Sequence, residues 1–443
     1  MISFPDEFIA ELKGIFGDDI TEYLNRADDE PFKGISVNRL KTDPERLIPL
    51  LPFEVRKSPF YKDGYYYSDD IQSIGRHPLH HAGAFYVQEP SASSAVSLLD
   101  IHKGDTVLDL CAAPGGKSSQ IASCLGGTGL IWSNEVVKNR AQILLSNYER
   151  MGISKGVVSS CYPEVLCDRL EGFFDKVLAD APCSGEGMFR KNPDAIAEWS
   201  REHVRSCAER QLSILDSACK AVKEGGVLVY STCTFSYEEN EGVIKEFLRR
   251  HQDFEGCELT EHTGRQTELS CAVRITPIEG GEGHFAAKLR RKGECTRSVK
   301  PALRSKPDNR VSDVRKMLSE IFIKLPDGEL SIINDKVFII PELMPDIKNA
   351  GVIRAGIYAG ELKKGRFEPA HALFMASHPS ELRQVLDMKA DDERVKAFLQ
   401  GHELECSLPS GYTAAAVEGI ITGFGKCSGG RLKNKYPKGL RLI

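Results

Sequence analysis

The sequence predicts an α/β fold organised on a doubly wound, mainly parallel sheet, and three observations carry that expectation. Between residues 106 and 250, short β-branched runs alternate with stretches of helical periodicity. The runs end on polar or acidic residues, Asp109, Glu135, Asp180 and Ser231, where such a sheet places its ligands. Pro114-Gly115-Gly116 breaks the first run directly ahead of a helix start, an arrangement that turns backbone N–H groups toward a ligand.

Taken in order, Glu7–Phe16 reads as an amphipathic helix. Gly34–Thr42 alternates like an edge strand, with Arg39 and Lys41 on its polar side as candidate nucleic-acid contacts. Tyr61–Tyr67 is tyrosine-rich, and His77, His80 and His81 read as a polar loop because no acid or cysteine stands at metal-ligand spacing. Phe85–Ser93 leads into a helix ending at Leu99. Thr106–Leu110 is the first buried strand, and Lys117–Ala122 opens a helix. Leu130–Glu135 is the second strand, Lys138–Met151 a helix stopped by Gly152, and Val157-Val158 the third strand. Phe174–Asp180 is the fourth strand, Ser206–Val222 a helix, Val227–Ser231 the fifth strand and Glu239–Arg250 a helix. Cys271–Thr276 and His284–Leu289 form a closing hairpin.

Beyond the sheet the composition changes. From Lys288 to Arg310 nine basic residues face two acids, with Pro301 and Pro307 between them, which leaves open a solvated linker or a basic strap over nucleic acid. Glu329–Pro341 reads as two short strands, Gly356–Phe367 is rich in glycine and lysine, and Pro379–Leu386 and Ala390–Leu399 read as helical. The tail from Tyr412 reads as short strands with glycine turns, and its basic residues include Arg431, Lys433, Lys435 and Lys438 against the single acid Glu418. A compact, basic, β-rich ending suits an RNA-binding module. The resulting division is 1–85, an extension of RNA-binding type; 86–292, the sheet domain; 293–310, a basic linker; 311–375, a small α+β domain; and 376–443, the terminal module.

A net charge of −5 shows no global basic excess, so any nucleic-acid contact must be segregated by domain. The 13 cysteines form no C-x-x-C pair or zinc-like group and read as reduced thiols. With no signal-peptide pattern and no apolar run long enough for a bilayer, the expectation is a cytoplasmic monomer without metal or membrane.

The glycine loop alone admits three readings. G-x-G-x-x-G does not fit; the Walker pattern almost fits through Gly116-Lys117-Ser118, with Cys111 where its first glycine belongs; an adenosylmethionine loop is the third, and the stretch alone is ambiguous. What decides is a pair of cysteines directly after strands four and five: Asp180-Ala181-Pro182-Cys183 and Ser231-Thr232-Cys233-Thr234. Enzymes that methylate exocyclic amines carry an aromatic after their Asp/Asn-Pro-Pro, whereas a cysteine there suits a carbon nucleophile. C5 of cytosine is too electron-poor to accept a methyl group unaided, and a thiolate added to C6 makes it enamine-like.

Asp109–Lys117, Asp180–Phe189 and Ser231–Thr234, in that order, with Gln88–Ser91 and Gly281–Phe285, resemble the RNA cytosine-5 methyltransferases of the Sun (Nop/Sun) family. Within it they are most similar to the bacterial 16S ribosomal RNA methyltransferase F (RsmF) group, whose terminal PUA-like RNA-binding domain Ser428–Gly439 resembles. The resemblance implies a class I (Rossmann-like) methyltransferase sheet with an N-terminal α+β extension, S-adenosyl-L-methionine as cofactor, and a small-subunit rRNA cytosine near the decoding region as target. It implies Cys233 as nucleophile, Cys183 as the second cysteine that releases the product, and Asp180 and Lys117 as active-site residues. Cys111, Ala112, Ala113, Pro114, Gly115, Gly116 and Lys117 then form the cofactor loop, Glu135 binds ribose and Asp180 also lies near the cofactor. One departure stands out: the family's acid after strand three is missing, since Ser159–Pro163 holds none before Glu164. The competing readings are a P-loop nucleotide hydrolase and a catalytically inactive RNA-binding assembly factor.

Overall fold

The computed structural model describes residues 4–68, 74–294 and 308–442. Arg297, Lys300, Arg304 and Lys306 of the expected basic strap, and its two prolines, lie outside the described residues.

The centre is a large sheet with five parallel strands, in spatial order Gly156–Ser159, Leu130–Asn134, Thr106–Asp109, Phe174–Asp180 and Val222–Thr232. His284–Arg291 continues it antiparallel beside Val222–Thr232, and Ala272–Ile275 follows as the expected hairpin partner. The strands read as continuous apolar runs because helices cover both faces. Leu108, Trp132, Val177 and Leu228 pack on one side, and Val107, Ile131, Leu178 and Val229 on the other. Alternate residues of each strand therefore feed separate cores, as a two-residue side-chain period requires.

One strand of the sheet comes from far along the chain. Val352–Ala355 pairs antiparallel with Gly156–Ser159 and closes that edge, while Ser160 N–H donates to Gly351 O at 2.8 Å. Glu329–Ile333, Lys336–Ile340, Ile357–Lys363 and Arg366–Pro369 form a separate four-stranded sheet nearby.

Helix Asp6–Phe16 buries Phe8, Leu12 and Phe16. Phe8 meets Phe189 and Trp199 edge-on at 5.3 and 5.4 Å, and Phe16 meets Phe235 at 5.7 Å. Each buried aromatic contributes on the order of 2 kcal/mol, so this helix clamps the loops that follow strands four and five.

Four sequence expectations are corrected here. Gly34–Val37 is an interior strand, paired on both edges with Gly64–Tyr67 and Phe85–Val87 and buried along its length, with Ile35 and Val37 in the core. Pro379–Leu386 is one 3-10 turn, closed by a box between His378 and Glu381, followed by strand Val385–Met388 paired parallel to Gly411–Val417. The three histidines belong to a short helix rather than a polar loop: His77 caps it by accepting from Leu79 N–H, and His81 Nδ1 lies 2.9 Å from the Tyr436 hydroxyl. Cys406 and Cys427 form a disulfide within the terminal module, so not every thiol is free.

The N-terminal sheet and the terminal module share a core, in which Ile35, Val37 and Phe85 pack with Phe398, Leu399 and Tyr436. Among the described residues no helix is long and apolar enough to cross a membrane.

Candidate active site

The glycine loop follows strand Thr106–Asp109. Gly115 precedes helix Gly116–Leu125 at φ 115°, a conformation that side-chain-bearing residues rarely adopt, which lets the chain reverse in one residue. Asp109 is fully buried, and its Oδ2 accepts from the Ser118 hydroxyl at 2.6 Å. Burial nevertheless pushes that carboxyl up to about 7. Ala112 N–H donates to Asn134 O at 2.8 Å and ties the loop to the second strand. At the end of that strand Glu135 is buried, accepts from Val137 N–H at 2.9 Å and pairs with Arg140 at 3.2 Å.

Cys111–Pro114, Gly116, Lys117, Asp180 and Gln88 line a cleft of about 190 Å³. Asp109 Oδ1 and Gln88 Oε1 are buried there without a hydrogen-bond partner. Unmet acceptors in a cleft suit a ligand rich in donors, and the ammonium and ribose hydroxyls of adenosylmethionine supply donors of that kind. The residues present therefore fit the cofactor.

The two thiols meet beside this cleft. Strands Phe174–Asp180 and Val222–Thr232 are parallel neighbours with Asp180 opposite Ser231, so the loops leaving them emerge side by side. Cys183 Sγ and Cys233 Sγ are 3.2 Å apart, and Cys233 N–H points at Cys183 Sγ from 3.4 Å. Beside them the Ser184 and Thr234 hydroxyls are 2.8 Å apart. The neighbouring Cys233 sulfur, together with burial, raises the Cys183 thiol well above its ordinary value, so Cys183 rests as S–H.

Lys117 Nζ pairs with Asp180 Oδ2 at 2.7 Å, and the Ser231 hydroxyl donates to Oδ1 at 2.6 Å. Burial by itself would raise the Asp180 carboxyl, but Lys117, with the Ser231 hydrogen bond, outweighs it and the net shift is downward. For Lys117 the same contest ends upward, against burial, because Asp180 holds its proton. The pair stays ionised through neutral pH. With its ammonium engaged by Asp180, Lys117 is turned away from the phosphate role that a Walker loop assigns.

Two carboxylates missed in the sequence lock the thiol loops together. Glu186, on the Cys183 loop, accepts from Phe235 N–H at 3.0 Å and Ser236 N–H at 2.9 Å, and from the Trp199 indole at 2.8 Å. Glu239, after strand five, accepts from Ser184 N–H at 3.0 Å and from Gln211 at 2.7 Å. Each loop thus grips the other. Burial pushes Glu186 up to about 7 and raises Glu239 as well. The available signal for Glu186 was a lone acid among glycine and apolar residues, Gly185-Glu186-Gly187-Met188-Phe189. Gly187 and Gly283 stack closely, and a Cβ on Gly187 would stand 2.5 Å from Gly283 O, so the quoted Gly281–Phe285 segment packs directly on the Cys183 loop.

The RNA-contact candidates divide. Arg431, Lys433, Lys435 and Lys438 are exposed, and among the described residues none of them pairs with a carboxylate. Lys41 does not fit the role expected of it: its ammonium is turned inward to Met375 O and Ile421 O, and burial lowers it to about 7. Arg39 is held by Asp63 at 2.8 Å and Asp43 at 2.7 Å, so its charge is already compensated. Lys41 fastens the N-terminal extension to the C-terminal part of the chain, and Arg39 ties residues within the extension. Tyr162, beside the missing adenine acid, is 64 % exposed.

Comparison with known families gives four matches in chain order: the N-terminal domain of 16S rRNA methyltransferase RsmF over residues 4–90, 16S rRNA methyltransferase RsmB/F over 96–290, the RsmF first C-terminal domain over 316–376, and the methyltransferase RsmF PUA domain over 385–442. Ribosomal RNA small subunit methyltransferase F of Vibrio cholerae serotype O1 (strain M66-2) is 31% identical over 464 residues, spanning 99% of this chain and 98% of its own. The chain belongs to the RsmF family. The protein of that designation from Aeromonas salmonicida (strain A449) is 28% identical over 98% of this chain and 97% of its own. Among solved structures, a methyltransferase homolog protein from Pyrococcus horikoshii is 29% identical, with TM-score 0.58, over 66% of this chain and 96% of that one. NSun6 from the same organism, at 24% identity and TM-score 0.60 over 66% of this chain and 100% of its own, shares the fold. Membership in the family sets aside the P-loop reading.

Proposed function

We propose that this protein transfers a methyl group from adenosylmethionine to C5 of a cytosine in 16S rRNA, with Cys233 as nucleophile and Cys183 assisting its departure. The observation that carries the reading is the pair of thiols 3.2 Å apart, at the ends of adjacent parallel strands and next to the Lys117–Asp180 pair. Cys233 adds to C6, and the electron density this releases collects at C5. Asp180, kept ionised by Lys117 and Ser231, accepts hydrogen bonds from the polar edge of the base as that edge becomes protonated. When bound, adenosylmethionine supplies an electrophilic methyl group on a sulfonium centre. The Cys111–Gly116 loop and the Gln88 and Asp109 acceptors line the cleft that would hold it, with Glu135, next after strand Leu130–Asn134, as the expected ribose partner. Cys183, protonated and in contact with Cys233, offers its S–H to the departing thiolate.

A base must leave its stack to enter such a cleft. The exposed Arg431, Lys433, Lys435 and Lys438 hold the flanking RNA by its phosphates. All of these residues come from one chain, and the reading requires neither a metal nor a second copy. Bisulfite mapping of 16S rRNA after incubation with the purified protein tests it. One or more cytosines should become resistant only when protein and adenosylmethionine are both present. No new resistant cytosine, in naked rRNA or in assembled small subunits, would refute it.

A further inference from the structure

After methylation, C5 of the adduct still carries its original hydrogen, and a base must remove it before Cys233 can leave. Cys183 is a poor candidate. It rests protonated, and its hydrogen is better placed toward the Cys233 sulfur 3.2 Å away. Asp180, ionised beside Lys117 and Ser231, is assigned above to the polar edge of the base and not to C5.

We propose that His284 is the base: its Nε2 takes the C5 proton, with Glu89 and Ser91 setting the tautomer. The inference rests on the cytosine-C5 reading above. Three observations support it. Strand His284–Arg291 pairs with Val222–Thr232 so that Phe285 lies opposite Thr232, and His284 and Cys233 are the residues that adjoin this last pair at the same end of the ladder. The imidazole is buried, and the residue before it, Gly283, packs on Gly187 of the Cys183 loop.

The third is the hydrogen-bond chain that sets the tautomer. The Ser91 hydroxyl donates to Glu89 Oε2 at 2.6 Å, and Glu89 is itself fixed by Ser91 and Ala92 N–H, each at 2.9 Å. With its hydrogen spent on Glu89, the Ser91 oxygen is left as an acceptor for His284 Nδ1–H at 3.3 Å. A ring whose Nδ1 carries the hydrogen has a bare Nε2 lone pair. Burial, aided by Lys117, holds the imidazole neutral at neutral pH. The motif residues Glu89, Ser91 and His284, distant in sequence, thus assemble a carboxylate-oriented imidazole.

The step balances. The C5–H bond breaks and its proton goes to His284 Nε2. The bonding pair becomes the C5=C6 double bond. The C6–S bond breaks with its pair on Cys233 sulfur, where the Cys183 S–H meets it. Glu89, whose Oε2 is 3.6 Å from Nδ1, faces the imidazolium that results.

The test uses 16S rRNA tritiated at cytosine C5, and reads tritium released to water against denaturant-resistant protein–RNA adduct. His284→Ala should form adduct and incorporate methyl while tritium release falls about 100-fold, and added imidazole should restore it. Ser91→Ala, which keeps the ring but frees its tautomer, should show a smaller loss, and it carries the test if His284→Ala does not fold. Tritium release in both variants at the native rate would overturn the proposal. So would a loss confined to Lys191→Met, since Lys191 is a nitrogen base on the segment that follows Cys183. A native protein that neither forms adduct nor methylates would instead count against the cytosine-C5 reading itself.

Discussion

Two lysines withdrawn from solvent separate the catalytic cleft from the junction between the N-terminal extension and the C-terminal part of the chain. Lys117 is paired with Asp180 at 2.7 Å and is held more firmly protonated than a free lysine. Lys41 has only carbonyl partners, Met375 O and Ile421 O, and is lowered to about 7. Burial acts on both in the same direction, and the counter-ion decides the outcome. In the cleft a charge is maintained for use on a substrate. At the junction a long side chain serves as a fastener, and its charge is incidental.

The comparison breaks most readily at Asp180. Asp180→Ala leaves Lys117 buried without its partner, so we expect methyl transfer to fall about 100- to 1000-fold and stability to drop by about 3–5 kcal/mol. Steady-state kinetics and denaturant melts measure the two. Unchanged kinetics would remove the pair from the chemistry. At the junction Arg39→Gln strands the buried Asp63 carboxylate, and about 1–3 kcal/mol of stability should be lost with RNA affinity unchanged; a weakened gel-shift without a change in melting would restore Arg39 as an RNA contact. Lys433→Gln with Lys435→Gln should do the reverse, leaving stability intact and reducing the salt slope of RNA binding by about 2, roughly one per phosphate contact.

A pH-dependent effect belongs to Lys41. Between its folded value of about 7 and its ordinary value of 10.5, the unfolded chain binds a proton that the folded one does not, so stability rises with pH across that window. Lys41→Met should flatten that rise and leave methyl transfer untouched, as melts at pH 7 and pH 9.5 would show.

Much of the cleft was legible because it is local. The glycine break after Asp109 and the cysteines after Asp180 and Thr232 sit at strand ends, and a parallel sheet brings its strand ends together. What escaped depends on distant partners. Alternation in Gly34–Thr42 is compatible with an edge, and nothing nearby reveals that Met375 and Ile421 close over Lys41. Val352–Ala355 looks like an isolated short run until Gly156–Ser159 provides its ladder. Pro379–Leu386 has helical composition, yet the turn at His378–Glu381 uses its capping groups at once and Val385 is drawn into a strand by Ala414. Glu186 and Glu239 look like surface acids in a linear chain; only the folded loops supply the N–H groups that keep them inside.

The central claim is that two adjacent thiols share one reaction on a pyrimidine, one bonding to it and the other releasing it. Cys183→Ala incubated with 16S rRNA and adenosylmethionine, then run on a denaturing gel, tests this most directly. A covalent protein–RNA band should accumulate, and it should vanish when Cys233→Ala is added. No band from Cys183→Ala with turnover unimpaired, or a band that survives the loss of Cys233, would contradict the account.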